Sequence, residues 1–200
     1  MPQLTLEDLV ANGTMSGGMV RTLRKAVEAR RSYLVIALPR LAGKTTVGKA
    51  ILAVAARVGA PVRELGEDGI DVDKLALEAK GGYLYVPEVS THPVTPGYVW
   101  GEPVRKAFAA IGRGTALSTA LHADSPADAL EILGKNEIPA ADLARLDLIV
   151  HIRSLGDDWE HPTGRRVVGV HELDGSATSV LHAWDEKTDQ FKDIAKPTRF

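Results

Sequence analysis

Along the chain, short unbroken apolar runs alternate with longer stretches that are apolar on one side only. Positions 33–37, Tyr-Leu-Val-Ile-Ala, carry no polar residue. A run of this length predicts a strand buried on both faces of a parallel sheet. Further strands are predicted at 62–65, 83–86, 116–121 and 148–152, with helices at 47–58, 72–79 and 104–111 and another after Ser125-Pro126. There serine caps, and proline fits the first helical position. Strand followed by helix, repeated, predicts α/β layers around a mainly parallel sheet.

The two ends depart from this rhythm. Residues 4–9 read as a short helix ended near Asn12-Gly13. Ser16 is placed to cap a second helix, with Met19, Leu23, Val27 and Ala29 on its apolar side. Its basic residues Arg21, Arg24, Lys25, Arg30 and Arg31 read as a solvated helix face or as a surface for subunit contacts. Strands at 166–173 and 180–184, joined through an Asp174-Gly175 turn, predict an antiparallel edge. The expected organisation is one domain over 1–200: a helical lead-in (1–31), a core (32–153) and C-terminal strands with a hairpin (154–200).

Composition removes several functions. With 200 residues, 44% of them hydrophobic and 25% charged, the chain is long enough for a sizeable core. A formal net charge of −2 supplies no general pull toward nucleic acid or acidic membranes. There is no cysteine, which excludes disulfides, thiolate catalysis and cysteine-built zinc sites. The six histidines are scattered, with none at metal-ligand spacing. No span of about twenty apolar residues exists, and the first residues lack the basic start and apolar core of a signal peptide. A cytoplasmic location is expected, with no direct membrane insertion, so that contact with the inner face of a membrane comes through a partner.

Leu38-Pro39-Arg40-Leu41-Ala42-Gly43-Lys44-Thr45-Thr46 lies between the 33–37 strand and the following helix, where a phosphate-binding loop belongs. Gly43 and the amides after it can point N–H groups at a phosphate. Lys44 can reach terminal phosphates, and the Thr45 hydroxyl can bind magnesium. The pattern is degenerate, because Leu38 replaces the first glycine of G-x-x-x-x-G-K-[ST] and Leu41 stands where a mid-loop glycine is common. A leucine held at positive φ costs roughly 1–2 kcal/mol. Pro39 offers no N–H, and Arg40 is placed to replace part of the lost donors. An ordinary strand-to-helix turn with Lys44 exposed is the competing reading.

Carboxylates at the same predicted sheet edge complete the picture. Glu88 ends the apolar strand Tyr83-Leu84-Tyr85-Val86-Pro87, where it can hold magnesium through water or orient an attacking water. Glu67 and Asp68 follow the 62–65 strand and read equally as a catalytic base or as an acidic turn before Gly69. His122 ends the 116–121 strand, either as a γ-phosphate sensor or as a hydrogen-bonded loop residue.

These segments resemble the C-terminal motor domain of the type II and type IV secretion ATPases, a superfamily that includes pilus, tight-adherence, archaeal flagellum and conjugation ATPases. The resemblance runs nearly the whole chain. Residues 114–130, from Gly114 through His122 to Leu130, are similar to that family's His box, Glu67-Asp68 to its Asp box, and Val86-Pro87-Glu88-Val89 to its Walker B segment, with Pro87 in place of a glycine. Residues 147–153 and 165–173 look like its closing strands, and 184–191 like the tail of the tight-adherence and archaeal branches. The resemblance implies a RecA-like P-loop NTPase, a three-layer sandwich binding ATP and Mg2+. Leu38 to Thr46 would then hold the nucleotide, Thr45 and Glu88 the metal, and Glu88, Glu67 and His122 would serve catalysis. It also implies a homo-oligomer, a hexameric ring, working on a membrane-embedded secretion or pilus platform.

The family's N-terminal domain, which packs on the motor and brings arginines to the nucleotide, has no counterpart in the sequence. Arg105 and Arg113 are candidate substitutes, unless they decorate an exposed helix. Three functions follow: an ATP-hydrolysing motor for transport or fibre assembly, a degenerate non-hydrolysing nucleotide-binding regulator, and a DNA translocase. The chain shows no basic and aromatic groove to favour the last.

Overall fold

The computed structural model describes residues 3–38, 41–66, 71–91, 98–158, 160–175 and 177–200. Helix α1 (Leu6–Ala11) begins where Thr5 and Asp8 form a reciprocal capping box, so it starts later than the apolar pattern alone predicts. Ser16 caps α2 (Gly17–Glu28) as expected, its side chain accepting from the Met19 amide. Strand β1 (Tyr33–Ala37) matches its predicted span. Helix α3 (Lys44–Arg57) begins three residues before the predicted start, because its first turn, Lys44-Thr45-Thr46, is polar and falls outside the apolar period.

Then come β2 (Val62–Glu64), α4 (Val72–Glu78), β3 (Tyr83–Val89), β4 (Tyr98–Val99), α5 (Glu102–Ile111), β5 (Ala116–His122), α6 (Pro126–Lys135) and α7 (Ala140–Leu143). The chain closes with β6 (Leu148–Leu155), β7 (Gly164–Asp174), β8 (Ala177–Asp185) and β9 (Gln190–Asp193). Three of these elements, β4, α7 and β9, were not expected. Two and four residues are too few to show a period, and β9 is largely polar because it forms the outer edge of the sheet.

The described strands join one sheet in the order β2-β3-β5-β1-β6-β7-β8-β9, with β4 on β3. The β2, β3, β5, β1 and β6 pairings are parallel, and those from β6 to β9 antiparallel. Alternate residues of β1 explain its unbroken apolar sequence. Tyr33, Val35 and Ala37 join the core beneath α1, α2 and α3, while Leu34 and Ile36 join the core with α4, α5 and α6. Where β3 begins, Gly82 has no room for a side chain, since a Cβ would come within 1.9 Å of the Pro61 carbonyl.

Parallel pairing brings the C-terminal ends of β1, β3 and β5 to one edge. Ala37 pairs with His122, and Val89 with Leu121, past an irregularity between Val86 and Val89. At the other end of the sheet the Asp147 carboxylate accepts from the Ser32 amide at 2.9 Å and faces Arg31 and Arg199. Beside it, Glu172 accepts from the Thr198 amide (3.0 Å), the Thr198 hydroxyl (2.7 Å) and the Arg199 amide (3.0 Å). These bonds strap the chain segment 198–199 across the sheet. No helix among the described residues is long and apolar enough to cross a membrane.

Candidate functional site

At the end of β1 the chain turns into α3 through Leu41, Ala42 and Gly43, and α3 has no side-chain cap. The helix thus begins at Lys44 with no side-chain cap from Gly43, and the N–H groups of a helix's first turn have no carbonyl one turn back to bond. Gly43 holds φ +100, and a Cβ there would lie 2.9 Å from Arg165 Cδ and 3.3 Å from Ile152 Cδ1. No other residue fits without displacing β6 or β7 side chains. Leu41 holds φ +63, a left-handed form that a leucine adopts only with strain, and its side chain is exposed.

Lys44, the first residue of α3, points inward and is only 6% exposed. Its Nζ lies 3.7 Å from Glu88 Oε2 and 3.1–3.2 Å from both ring nitrogens of His122. His122 Nε2 in turn lies 2.9 Å from Glu88 Oε1. Because the ammonium is equally near both nitrogens, it is aimed along neither lone pair. Its firm electrostatic partner is the carboxylate.

Glu88 is 2% exposed. Burial pushes its carboxyl upward, but the hydrogen bond from His122, the Lys44 ammonium and the hydrogen bond from Tyr98 outweigh burial and leave it below the usual carboxylate value. It is therefore ionised and charge-paired over the physiological range. A buried anion of this kind persists only with such partners.

The three side chains open onto a cavity of about 990 Å³. Its polar wall includes Gly43, Lys44, Thr45, Glu88, His122 and Arg165, and a more apolar wall is built from Leu4, Leu9, Val47 and Ile152. The lead-in reaches this cavity because the Val167 amide donates to the Thr14 carbonyl at 2.7 Å, tying the α1–α2 turn to β7. Thr45 and Thr46 are exposed to it.

Most of the predicted site residues meet here. Leu41, Ala42, Gly43, Lys44, Thr45, Thr46, Glu88 and His122 line the cavity. Leu38 stands exposed ahead of the loop, 44% accessible. Pro39, Arg40, Glu67 and Asp68 lie outside the described residues. Arg105 and Arg113 do not supply substitute cations to this cavity. Arg105 donates to the Asn136 carbonyl and faces Glu137, and Arg113 pairs with Asp73, both on the α5 side of the fold. The exposed-helix alternative is the one observed.

Arg165 and Tyr98 were missed. Arg165 donates from Nε (3.2 Å) and Nη2 (3.0 Å) to the Leu41 carbonyl. The available signal was the pair Arg165-Arg166 opening an alternating strand, which must send its two guanidiniums to different surroundings. Arg166 goes to Asp189 and stacks on Trp184. Tyr98 had no comparable signal in the sequence. An exposed trio, Asp158, Glu160 and His161, has ligand atoms within 4.8 Å of one another. Among them Asp158 is engaged with the Glu160 and His161 amides and the His161 ring.

No family model matches the chain, and no curated protein matches it by sequence. By fold it is similar to the VirB11 ATPase from the Brucella suis type IV secretion system, solved in complex with sulphate. The TM-score is 0.55 at 18% identity, over 84% of this chain and 56% of that one. At that identity the likeness is one of fold: an α/β architecture with a largely parallel sheet continued by antiparallel strands. The chain spans little more than half of the length of that ATPase.

Proposed function

We propose that this chain is a RecA-like P-loop ATPase domain of the secretion type, binding ATP with Mg2+ in the cavity at the C-terminal edge of β1, β3 and β5. The observation that carries this reading is the convergence of Lys44, Glu88 and His122, from three separate elements, on one cavity floored by a helix start. A buried ammonium beside a helix N-terminus suits a polyphosphate. A buried carboxylate a few ångströms away suits the work phosphoryl transfer leaves to a protein.

In this reading Lys44 leaves Glu88 for the terminal phosphates, and the amides of residues 42–46 take the remaining phosphate oxygens. Magnesium fits the donor set, because the Thr45 hydroxyl is exposed to the cavity and Glu88 is held ionised there; the ion would offset phosphate charge as it transfers. His122, touching both Lys44 and Glu88, is placed to register whether the lysine is engaged. The apolar wall at Leu4, Leu9 and Val47 suits the base. The likeness to an ATPase solved with sulphate supports an anion site in this fold. The wider proposal follows the same likeness: a single domain over 1–200 acting in a homo-oligomeric, hexameric ring on a membrane-embedded transport or pilus platform, at the cytoplasmic face.

The test is titration of the purified chain with Mg-ATP, alongside phosphate release. Lys44→Ala is expected to weaken binding on the order of 100-fold, the scale of losing one partner of a buried charge pair. Wild-type protein that binds no nucleotide would sink the proposal. Turnover stimulated by added DNA would move it toward a translocase, and tight binding without turnover toward a regulatory subunit, the outcome favoured by the left-handed Leu41.

A further inference from the structure

The loop before α3 is contacted at two adjacent points by one side chain of the neighbouring cavity wall. Arg165, near the start of β7, gives two N–H groups to the Leu41 carbonyl, at 3.0 and 3.2 Å. Its Cδ also lies over the open face of Gly43, in the space a Cβ would need. Between these points sits the Leu41–Ala42 peptide, and Leu41 is at φ +63. Among the described residues of the loop none hydrogen-bonds to Leu41, whose left-handed form carries about a tenfold population penalty relative to ordinary backbone.

A trans peptide is planar, with its C=O and N–H on opposite edges. Fixing the Leu41 carbonyl on the Arg165 side therefore turns the Ala42 N–H the other way. A loop that receives an anion must present N–H groups and withdraw carbonyl oxygens. A carbonyl free to rotate into the cavity would oppose phosphate directly. A guanidinium with two donors suits this task better than an ammonium, because its planar fork fixes direction as well as distance.

We infer that Arg165 is a positioning residue that holds the Leu41–Ala42 peptide in its anion-receiving orientation, replacing from β7 the conformational freedom the loop lost with its glycine. The inference rests on the nucleotide reading above for its consequence, but not for its geometry. It predicts coupling between positions 165 and 41: a glycine in place of Leu41 adopts the left-handed form without help, so it relieves the need for the arginine.

The experiment compares wild type, Arg165→Ala, Arg165→Lys, Leu41→Gly and the Leu41→Gly/Arg165→Ala double variant. Each is titrated with Mg-ATP and examined without nucleotide by NMR couplings that report φ at position 41. Arg165→Ala is expected to weaken Mg-ATP about tenfold in the wild-type background and no more than about threefold in the Leu41→Gly background, with lysine failing to restore the loss. Equal losses in both backgrounds would assign Arg165 to the phosphates directly and overturn the inference, as would no loss at all. If wild type binds no nucleotide, the functional reading fails, and the couplings alone decide. Loss of the left-handed Leu41 conformation in Arg165→Ala upholds the inference, and its retention overturns it.

Discussion

Glu88 and Glu172 are both buried carboxylates on strands of the same sheet, at opposite ends of it, and their partners differ in kind. Glu172 is saturated by the Thr198 and Arg199 amides and the Thr198 hydroxyl, groups fixed by the backbone they belong to. Neighbouring Asp147 is likewise bound to the Ser32 amide. Glu88 is held by the tips of Lys44, His122 and Tyr98 beside a large cavity. Backbone donors cannot leave without unfolding something. A lysine tip can. The first arrangement builds the fold, and the second leaves room for exchange with a ligand.

The two ends also titrate differently. Burial raises the Asp147 carboxyl above its usual value, with Glu172 adding to the rise, and the Ser32 amide and the two arginines offset only part of it. At Glu88 the partners win and the carboxyl falls below its usual value. The cavity end thus keeps its charge more firmly, beside the buried Lys44 ammonium.

Matched substitutions break or sharpen this contrast. Glu88→Gln keeps shape and removes charge. It is expected to slow ATP turnover on the order of 10²–10⁴-fold, as read by phosphate release, and to lower the urea unfolding midpoint because the buried Lys44 ammonium loses its carboxylate. Turnover per folded molecule that stays unchanged would make Glu88 a structural group like its counterpart. Glu172→Gln turns one acceptor oxygen into a donor facing amide N–H groups. An unfolding free energy lower by about 3 kcal/mol is expected, with affinity per folded molecule unchanged.

The smallest effect tests the antiparallel edge through pH. His171 on β7 is pushed down to about 4 by burial and by His151, which burial also lowers while Asp124 opposes the shift and Arg153 adds to it. Between that value and 6.5 the unfolded chain binds the extra proton. Stability is therefore full above pH 6.5 and falls as pH drops through 6.5 toward about 4. Urea midpoints measured across that window should fall with acidification, and His171→Gln should flatten the slope. An unchanged slope would show that His171 is hydrated.

The parallel half was legible because burial on both faces leaves unbroken apolar runs, and 33–37 is the clearest of them. Glu88 and His122 were legible as strand ends once the strands were placed, since parallel topology gathers such ends at one edge. Arg165 was not, because its role depends on β7 running antiparallel beside β6 and returning to the loop, a long-range fact without local periodicity. Arg105 and Arg113 left two readings open for the converse reason. Their charge was visible in the sequence, but the Asn136 carbonyl and Asp73 that engage them were distant in it. The helix start at Lys44 was placed late because its polar first turn faces the cavity and not the core.

Under the proposed function, the contact of Lys44 with Glu88 has a consequence for selectivity. The cavity already contains its own counter-ion, so an arriving anion does not fill an empty electrostatic well; it competes with a tethered carboxylate at very high local concentration. Weakly held monovalent ions lose that competition. A multivalent ligand that brings a compensating cation for Glu88 does not, since it repays the carboxylate it displaces. If the cavity takes the nucleotide proposed above, the resident ion pair would act as a filter whose threshold is set by ligand valence, independent of shape.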